Sequence, residues 1–358
     1  MNEMLLTEVL VGLLIQTTVV VAITFALDLW LGNSRASCRL WTVCFVGVLC
    51  LAIAGLLLPH YRMFRVPTIR PGTVLAEISL CQPTAVRIAT TAWAIGFGLM
   101  LVWRLLSYVG LCVFLRRDCR PMTKDERRKL PVQVNEFGTD LRVLVCESVD
   151  GAFCWQLHYP TIVLPASLLH DSPTEQRHVI LHELEHLRTN HPLQHFLQGV
   201  CRTLFWFHPM IWMAGRRAEL VREFLCDEHA ALACGKISSY LRTLAKIAQR
   251  SNVSPSCVLS FGRSKSALIQ RSDQLVTVAR RGTDNHGSAA IIGVVILAST
   301  IILTSQLWPP VNPLASTRSD WSPWPTWTAQ SLHDFGIHVR DFESFDEDHG
   351  MHDLLLDD

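Results

Sequence analysis

The chain has 358 residues and a formal net charge of +1, and 49% of its residues are hydrophobic while 18% are charged. This composition is too apolar for an ordinary soluble protein, and the balanced charge argues against a nucleic-acid-binding protein. The twelve cysteines include no Cys-x-x-Cys pair, so we expect reduced, buried thiols rather than a disulfide framework.

Four apolar segments have the length that a membrane-spanning helix needs. Residues 9–27, 40–59 and 288–307 carry no charge, and about 20 apolar residues cross a hydrocarbon core. Residues 88–115 form a further segment, which is interrupted only by Arg104. No Lys or Arg precedes the first segment, so we do not expect it to be a cleaved signal peptide. The sequence therefore predicts a four-helix transmembrane anchor.

The basic residues predict how this anchor is oriented. Residues 1–34 contain no Lys or Arg, whereas seven basic residues lie between Arg116 and Lys129, after the third segment. Because cytoplasmic loops carry the excess of basic residues, the region 117–287 is predicted inside and both termini outside. The loop 60–87 has four arginines and opposes this orientation, but the denser cluster outweighs it. The expected location is the cytoplasmic membrane.

The region between the third and fourth apolar segments is predicted to form one mixed domain. Three short runs rich in β-branched residues predict a small sheet: Val132–Val134, Arg142–Cys146 and Thr161–Leu164. Pro173 and Glu175 are typical of a helix start, and the helix is predicted to reach about Asn190, where His191-Pro192 is a stop signal.

The remaining elements are a short aromatic segment, one helix and a polar tail. Residues 203–214 are apolar but too short to cross a membrane, so we expect them at the interface or packed beneath the domain. A further helix is predicted from about Trp212 to Cys234. Tryptophans and prolines alternate after the fourth segment, which predicts an extended interfacial linker. Residues 318–358 hold ten acidic residues and two arginines and are expected to be solvated.

The sequence His182-Glu183-Leu184-Glu185-His186 carries the clearest chemistry in the chain. On a helix, histidines four residues apart lie on one face, one turn apart, where both imidazoles can bind one zinc ion. Glu183 follows the first histidine and can take a proton from water at the metal. The alternative is a chance pattern of surface histidines on a helix.

A catalytic zinc site needs a third ligand. His178 is eight residues from the second histidine, a rise of about 12 Å, so it cannot bind together with both. Thr189 and Pro192 occupy the Gly and His positions of a metzincin continuation, which excludes that class. Glu223 and Asp227 are four residues apart on a predicted helix, so one carboxylate can bind the metal and the other can support a ligand histidine. The alternative is a solvated acidic stripe paired with arginines.

Three motifs in this order resemble those of the membrane metallopeptidases of the beta-lactam sensor-transducer family, the BlaR/MecR antirepressors. They are the His182–His186 motif, Phe205–Pro209 with the sequence Phe-Trp-Phe-His-Pro, and Arg222–Glu228 with the pattern Arg-Glu-x-x-Cys-Asp-Glu. The segment Tyr159–Pro165 and the four-span layout are similar too. The resemblance covers about residues 5–307.

The resemblance implies an α+β zincin domain of the gluzincin type, inserted in the four-helix transmembrane anchor. It implies zinc (Zn2+) bound by His182, His186 and Glu223, with Glu183 as the catalytic base and Asp227 accepting a hydrogen bond from a ligand histidine. The chain then divides into residues 1–116 with three transmembrane helices, 117–287 as the cytoplasmic zinc metallopeptidase domain, 288–308 as the fourth transmembrane helix and 309–358 as the extracytoplasmic linker and tail.

Two features depart from the family pattern. Asn190 stands where an acidic residue is common, and Gln156 stands where a small residue is common, so both bear on substrate fit. The best-known members continue into a penicillin-binding domain with a Ser-x-x-Lys nucleophile, whereas no lysine follows Lys265 in this chain. Covalent beta-lactam binding by this chain is therefore not expected.

The predicted function is a membrane-bound zinc endopeptidase that cleaves a cytoplasmic regulatory protein, such as a helix-turn-helix transcriptional repressor, in response to a signal. The expected partners are this protein substrate and the lipid bilayer, without direct binding of nucleic acid. Two alternatives stay open, namely a broad quality-control peptidase of the membrane and a non-catalytic receptor or scaffold.

Four further hypotheses concern single features. Thr161–Leu164 could be an edge strand that aligns a peptide substrate, or an ordinary strand within the sheet. Asp28 and Arg104 could pair between helices, or Arg104 could extend to the membrane interface. His208 and His229 are candidates for stabilising an oxyanion, although a structural role fits each of them better. Self-cleavage near Ser260-Phe261-Gly262 is a further hypothesis.

Overall fold

The computed structural model describes residues 3–61, 74–132, 141–156, 159–251, 265–281, 287–308 and 321–340. Most of these residues are helical. The helices, numbered in chain order, are α1 (Glu3–Leu31), α2 (Ser34–Leu57), α3 (Val74–Arg117), α4 (Lys124–Lys129), α5 (Pro173–Arg188), α6 (His191–Leu204), α7 (Pro209–Ala233), α8 (Ile237–Ser251), α9 (Lys265–Arg281), α10 (Gly287–Thr304) and α11 (Thr326–Asp334).

Three of the described helices are long and apolar enough to cross a membrane. Their apolar parts are Leu5–Leu31, Ser34–Leu57 and Thr84–Arg117, and a shorter apolar helix covers Ala289–Thr304. Each predicted apolar segment overlaps one of these helices, but the helix over Ala289–Thr304 is shorter than the other three, so the fourth span stays a prediction. The helix α3 has 44 residues and is longer than the predicted segment.

The four strands form one mixed sheet beside α5. They are β1 (Cys119–Pro121), β2 (Arg142–Cys146), β3 (Phe153–Trp155) and β4 (Thr161–Pro165), and their order is β1-β2-β4-β3. The strand β4 pairs in parallel with β2 and antiparallel with β3, so it lies inside the sheet. The hypothesis of an edge strand at Thr161–Leu164 is therefore wrong, because β3 separates β4 from that edge.

The predicted strands over 142–146 and 161–164 are confirmed, and β4 is one residue longer than predicted. The strands β1 and β3 were not predicted, because three residues are too few to show a periodic pattern. Of the predicted strand Val132–Val134, Val132 is not in a strand, and the other two residues lie outside the described ranges.

The helix boundaries correct two predictions, and a proline opens the following helix in both cases. The helix α5 ends at Arg188, and Pro192, which was predicted to stop a helix, lies in the first turn of α6. Residues 203–214 do not form one apolar segment, because α6 ends and α7 begins at Pro209, three residues before the predicted Trp212. Proline suits the first turn of a helix because its missing N–H has no partner there.

The apolar helices α1, α2 and α10 share one core with α6 and α7. Trp308 follows α10 and fills a slot beside two glycines, since a Cβ atom on Gly12 or Gly55 would lie 2.5 Å from its indole. The indole also stacks on His60, with ring centroids 3.8 Å apart. A second core joins the sheet to α5 and α8.

Polar contacts join α1 and α3 to helices that follow the sheet. The predicted pair of Asp28 and Arg104 is wrong: Arg217 Nε donates to Asp28 Oδ2 at 2.6 Å, and Arg104 Nε donates to Thr203 Oγ1 at 2.7 Å. Asp28 is almost fully buried and therefore requires a cationic partner, which α7 supplies. The helix α7 is thus fastened directly to α1.

The predicted linker and tail contain regular structure in their described part. Residues 321–340 include α11, and the side chains of Trp327 and Thr328 donate hydrogen bonds to the backbone carbonyls of Leu56 and Leu57. This part therefore packs on the end of α2 and is not the solvated extension that was predicted. Residues 309–320 and 341–358 of the predicted linker and tail lie outside the described ranges.

Candidate metal centre

The helix α5 carries its own start signals. The Ser172 hydroxyl accepts a hydrogen bond from the Glu175 N–H, and the Glu175 carboxylate accepts one from the Ser172 N–H, which together form a capping box. Ile180, Leu181 and Leu184 are buried in the core beside the sheet. Because α5 also packs along α7, the two histidines of its motif lie against the acidic residues of that helix.

Three predicted ligands meet between α5 and α7. The Nε2 atoms of His182 and His186 are 3.2 Å apart, and Glu223 carboxylate oxygens lie 3.6 Å from the first and 3.5 Å from the second. A tetrahedral zinc ion with bonds of about 2.0–2.1 Å separates its ligand atoms by about 3.3 Å. The three groups therefore fit one zinc ion and leave a fourth position for another ligand.

Asp227 contacts His182 at Nδ1, the ring nitrogen that does not face His186 and Glu223. The Nδ1 atom of His182 lies 3.1 Å from Asp227 Oδ1, and the Tyr240 hydroxyl donates to the same oxygen at 2.7 Å. Arg271 on α9 donates to both carboxylate oxygens, at 2.7 and 2.6 Å, and its third nitrogen lies 2.8 Å from Glu223 Oε2. The contact at Nδ1 orients the ring so that Nε2 of His182 lies near His186 and Glu223.

The charged groups of this cluster shift one another's pKa. Burial lowers the pKa of His182, but hydrogen bonds to Asp227 and Glu223 raise it, so that the pKa is about 9 without a metal. Burial opposes ionisation of Glu223, but the Arg271 guanidinium and both histidines hold its pKa well below its usual value. Glu223 is therefore ionised, which is the form of a carboxyl group that can bind a metal ion.

His186 has a different support, which the sequence did not reveal. Its Nδ1 atom lies 2.9 Å from Nδ1 of His191, the first residue of α6. The other nitrogen of His191 lies 3.4 Å from the Cys38 sulfur on α2, and that thiol donates to Gln194. Burial and the neighbouring His186 lower the pKa of His191 to about 2, so its ring is neutral.

The predicted base Glu183 is buried beside the edge strand β3. The Cys154 thiol of β3 forms a hydrogen bond with its carboxylate, and burial together with the charges of Glu183 and Glu223 raises the pKa of this thiol well above its usual value. Cys154 is therefore a protonated thiol that interacts with both carboxylates. Cys154 was not predicted to lie at the site, because a lone cysteine in a short strand is most often structural.

The two departures from the family pattern contact each other. The Gln156 amide follows β3 and donates to the Asn190 side-chain oxygen at 3.1 Å. Asn190 has a φ of 54°, a left-handed conformation that asparagine tolerates better than most residues, and it turns the chain from α5 into α6. These two polar residues therefore form one hydrogen-bonded pair, which links the end of β3 to the turn between α5 and α6.

Three other histidines lie apart from the ligand cluster. His178 Nδ1 lies 2.8 Å from the Thr243 hydroxyl, so its exclusion as a ligand agrees with its position. His208 Nε2 lies 3.3 Å from the Thr18 hydroxyl of α1, and His229 Nδ1 lies 3.3 Å from Glu185. Both of these histidines contact protein side chains, and the hypothesis that either one stabilises an oxyanion stays a prediction. The proposed cleavage segment Ser260–Gly262 lies outside the described ranges.

Arg271 and Tyr240 were also missed by sequence reasoning. Both lie far along the chain from the motif, and neither residue type suggests a metal site by itself. A buried Asp227 requires hydrogen-bonding or cationic partners. This requirement does not predict which residues of the chain supply them.

Two comparisons with known proteins agree with this geometry. The family model described as BlaR1 peptidase M56 matches residues 4–275, which is well over half of the chain. The "Regulatory protein BlaR1" of Bacillus licheniformis is 31% identical over 68 residues, which cover 19% of this chain and 11% of that protein. The match thus spans a small part of the relative. Both findings support a metallopeptidase associated with a membrane and with signalling.

Proposed function

The chain belongs to the BlaR1 peptidase M56 family, as its motifs indicated, and on this basis we propose that it is a membrane-bound zinc endopeptidase with a gluzincin-type α+β domain. The observation that carries the proposal is the meeting of His182, His186 and Glu223 at distances suited to one zinc ion. Two imidazoles and one carboxylate are also the ligand set of several catalytic zinc sites, which keep a fourth position open.

In the proposed mechanism, the zinc ligands and their neighbours have different roles in peptide hydrolysis. A bound zinc ion supplies Lewis-acid chemistry, polarising the scissile carbonyl and lowering the pKa of water. Glu183 accepts the proton of the attacking water and transfers it to the leaving amine. Asp227 and Tyr240 keep the first histidine oriented, while Cys154 holds a hydrogen bond to Glu183 in the resting enzyme.

The edge strand β3 is the surface along which we propose that the substrate binds. Within the described sheet it pairs with β4 alone, and it carries Cys154, which contacts the proposed base. An extended peptide can add to such an edge through backbone hydrogen bonds. The joined residues Gln156 and Asn190 lie at the end of this strand, where they would contact the substrate.

The topology and the substrate are parts of the same proposal. We propose four membrane spans, with residues 117–287 on the cytoplasmic side and both termini outside, because the basic residues flank the third span. A peptidase in that position meets cytoplasmic proteins, and we propose a regulatory protein such as a transcriptional repressor as its substrate.

The first experiment measures bound metal in the purified full-length protein. We expect about one zinc per chain by elemental analysis, and loss of this zinc in His182→Ala and in Glu223→Ala. Wild-type protein that binds no zinc from a zinc-containing buffer would overturn the proposal and favour a non-catalytic receptor or scaffold.

The second experiment identifies the substrate by comparing the proteomes of cells that contain wild-type protein or Glu183→Gln. We expect a protein fragment that arises only with the wild type. The matched control is Glu185→Gln, because Glu185 lies in the same motif but faces His229, and it should behave as the wild type. A single cleaved regulator supports the proposal, whereas fragments of many unrelated membrane proteins would replace it with quality control.

A further inference from the structure

The hydrogen bonds that connect His186, His191 and Cys38 each have a defined donor and acceptor. The Cys38 thiol donates its proton to Gln194 Oε1 at 3.3 Å, so its sulfur is left to accept from His191 Nε2 at 3.4 Å. With its ring proton on Nε2, His191 has a lone pair on Nδ1. That lone pair accepts the Nδ1–H of His186 at 2.9 Å.

This sequence of donors and acceptors determines the tautomer of His186. With its proton on Nδ1, the ring presents an unprotonated Nε2, and this is the atom that lies 3.2 Å from the corresponding nitrogen of His182. The Nδ1 atoms of the two proposed ligand histidines therefore have different partners, a carboxylate for His182 and a histidine for His186. A hydrogen bond on the second nitrogen commonly fixes the orientation of a metal-bound histidine.

The partner of His186 is itself held by a membrane helix. Cys38 lies on α2, near its first turn, and both Cys38 and His191 are buried at about 5% exposure or less. The proposed spans α1 and α3 contact α7 and α6 through Asp28 and Arg104, whereas α2 reaches the hydrogen-bond shell of a ligand directly.

We infer that His191 positions the metal ligand His186, and that Cys38 of α2 positions His191, so that a proposed membrane span sets the orientation of a zinc ligand. The inference rests on the proposed zinc site. It makes His191 and Cys38 positioning residues, since neither touches the metal or the substrate. A displacement of α2 at Cys38 releases the ring of His191 and with it the tautomer of His186.

A second arrangement of the same residues is the rival to this inference. His186, His191 and Cys226 also lie close enough together to bind a metal ion. In that arrangement the His191 Nδ1 lone pair would bind the metal and could not accept from His186. The Cys226 sulfur lies 3.5 Å from His191 Nδ1. Without a metal, the Cys226 thiol can donate a hydrogen bond to the same Nδ1 lone pair that accepts from His186.

The test measures zinc affinity of the full-length protein in detergent by competition with a chromophoric chelator. We expect His191→Ala and Cys38→Ala to weaken zinc binding by about 10–100-fold, as is usual for partners of ligand histidines. Cys38→Ser should restore the affinity to within about threefold, because its hydroxyl can donate to Gln194 and accept from His191. The visible spectrum of the Co2+-substituted protein should change in Cys38→Ala and return in Cys38→Ser.

Two controls make the outcome specific. Cys44→Ala removes another buried thiol of α2 and should leave the zinc affinity unchanged, and Cys226→Ala should change it less than threefold. Unchanged affinity in His191→Ala and Cys38→Ala, with zinc bound by the wild type, would overturn the inference alone. A loss in Cys226→Ala equal to that in His191→Ala would replace it with the rival metal site. A wild type without zinc would instead overturn the proposed function.

Discussion

The substitution Arg271→Met tests whether α9 holds the metal centre together. Arg271 donates two hydrogen bonds to Asp227 and contacts Glu223, and its side chain is 10% exposed while that of Asp227 is 1% exposed. Methionine keeps much of the volume but leaves two neighbouring carboxylates without the guanidinium that contacts both of them. Breaking a buried ion pair in this way costs about 3–5 kcal/mol.

Thermal unfolding of the metal-free protein, followed by tryptophan fluorescence in detergent, measures this loss. About 2–4 °C per kcal/mol is typical of domains of 150–250 residues, so the midpoint should fall by about 6–20 °C. The control Arg280→Met removes an exposed arginine of the same helix and should shift the midpoint by less than about 2 °C.

A double-mutant cycle with Asp227→Asn separates the ion pair from the general effect of each change. Because each single variant leaves the other partner buried without its counter-charge, the double variant should lose clearly less than the sum of both. A midpoint for Arg271→Met within 2 °C of the Arg280→Met control would refute this account of the centre, as would strict additivity in the cycle.

Three further predictions concern other features of the molecule. Reversal of the charge at Asp28 alone, or at Arg217 alone, should destabilise the protein by about 2 kcal/mol. The double reversal should recover at least half of this loss, as measured by thermal unfolding. The raised pKa of His182, about 9 without a metal, stabilises the metal-free protein fully below its unfolded pKa of ~6.5, and this stabilisation is lost as the pH rises to about 9. Zinc must displace that proton, so its apparent affinity should rise between pH 7 and 9 by at most about tenfold per unit, and a pH-independent affinity in chelator competition would contradict it. Asn190→Ala should cost about 1 kcal/mol because of its left-handed backbone, whereas Asn190→Gly should be nearly neutral, and equal unfolding midpoints for the two would show the backbone strain to be absent.

The parts of this site that the sequence predicted are those that depend on local spacing. His182 and His186 share a helix face whatever the rest of the chain does, and the same holds for Glu223 and Asp227. The structure then brings the two pairs together, as the order of motifs suggested. Their proposed roles still await the measurements described above.

The parts that were missed depend on contacts between distant segments. Arg271 lies 44 residues after Asp227, and Cys38 lies 153 residues before His191, so no periodic pattern could connect them. The incorrect pairing of Asp28 with Arg104 has the same origin. Hydropathy identified both as charges that need partners, but the partners come from α7 and α6, whose positions only the fold determines.

The tryptophan that follows α10 restricts how the apolar helices can move past one another. The indole of Trp308 fills the space that Gly12 and Gly55 leave open, and it rests on the ring of His60. A piston movement of α10 by one helical turn, about 5.4 Å, would pull the indole out of this slot. A tilt about the same point keeps the ring in place. A rotation about Trp308 would therefore displace the far ends of these helices more than the end that Trp308 contacts.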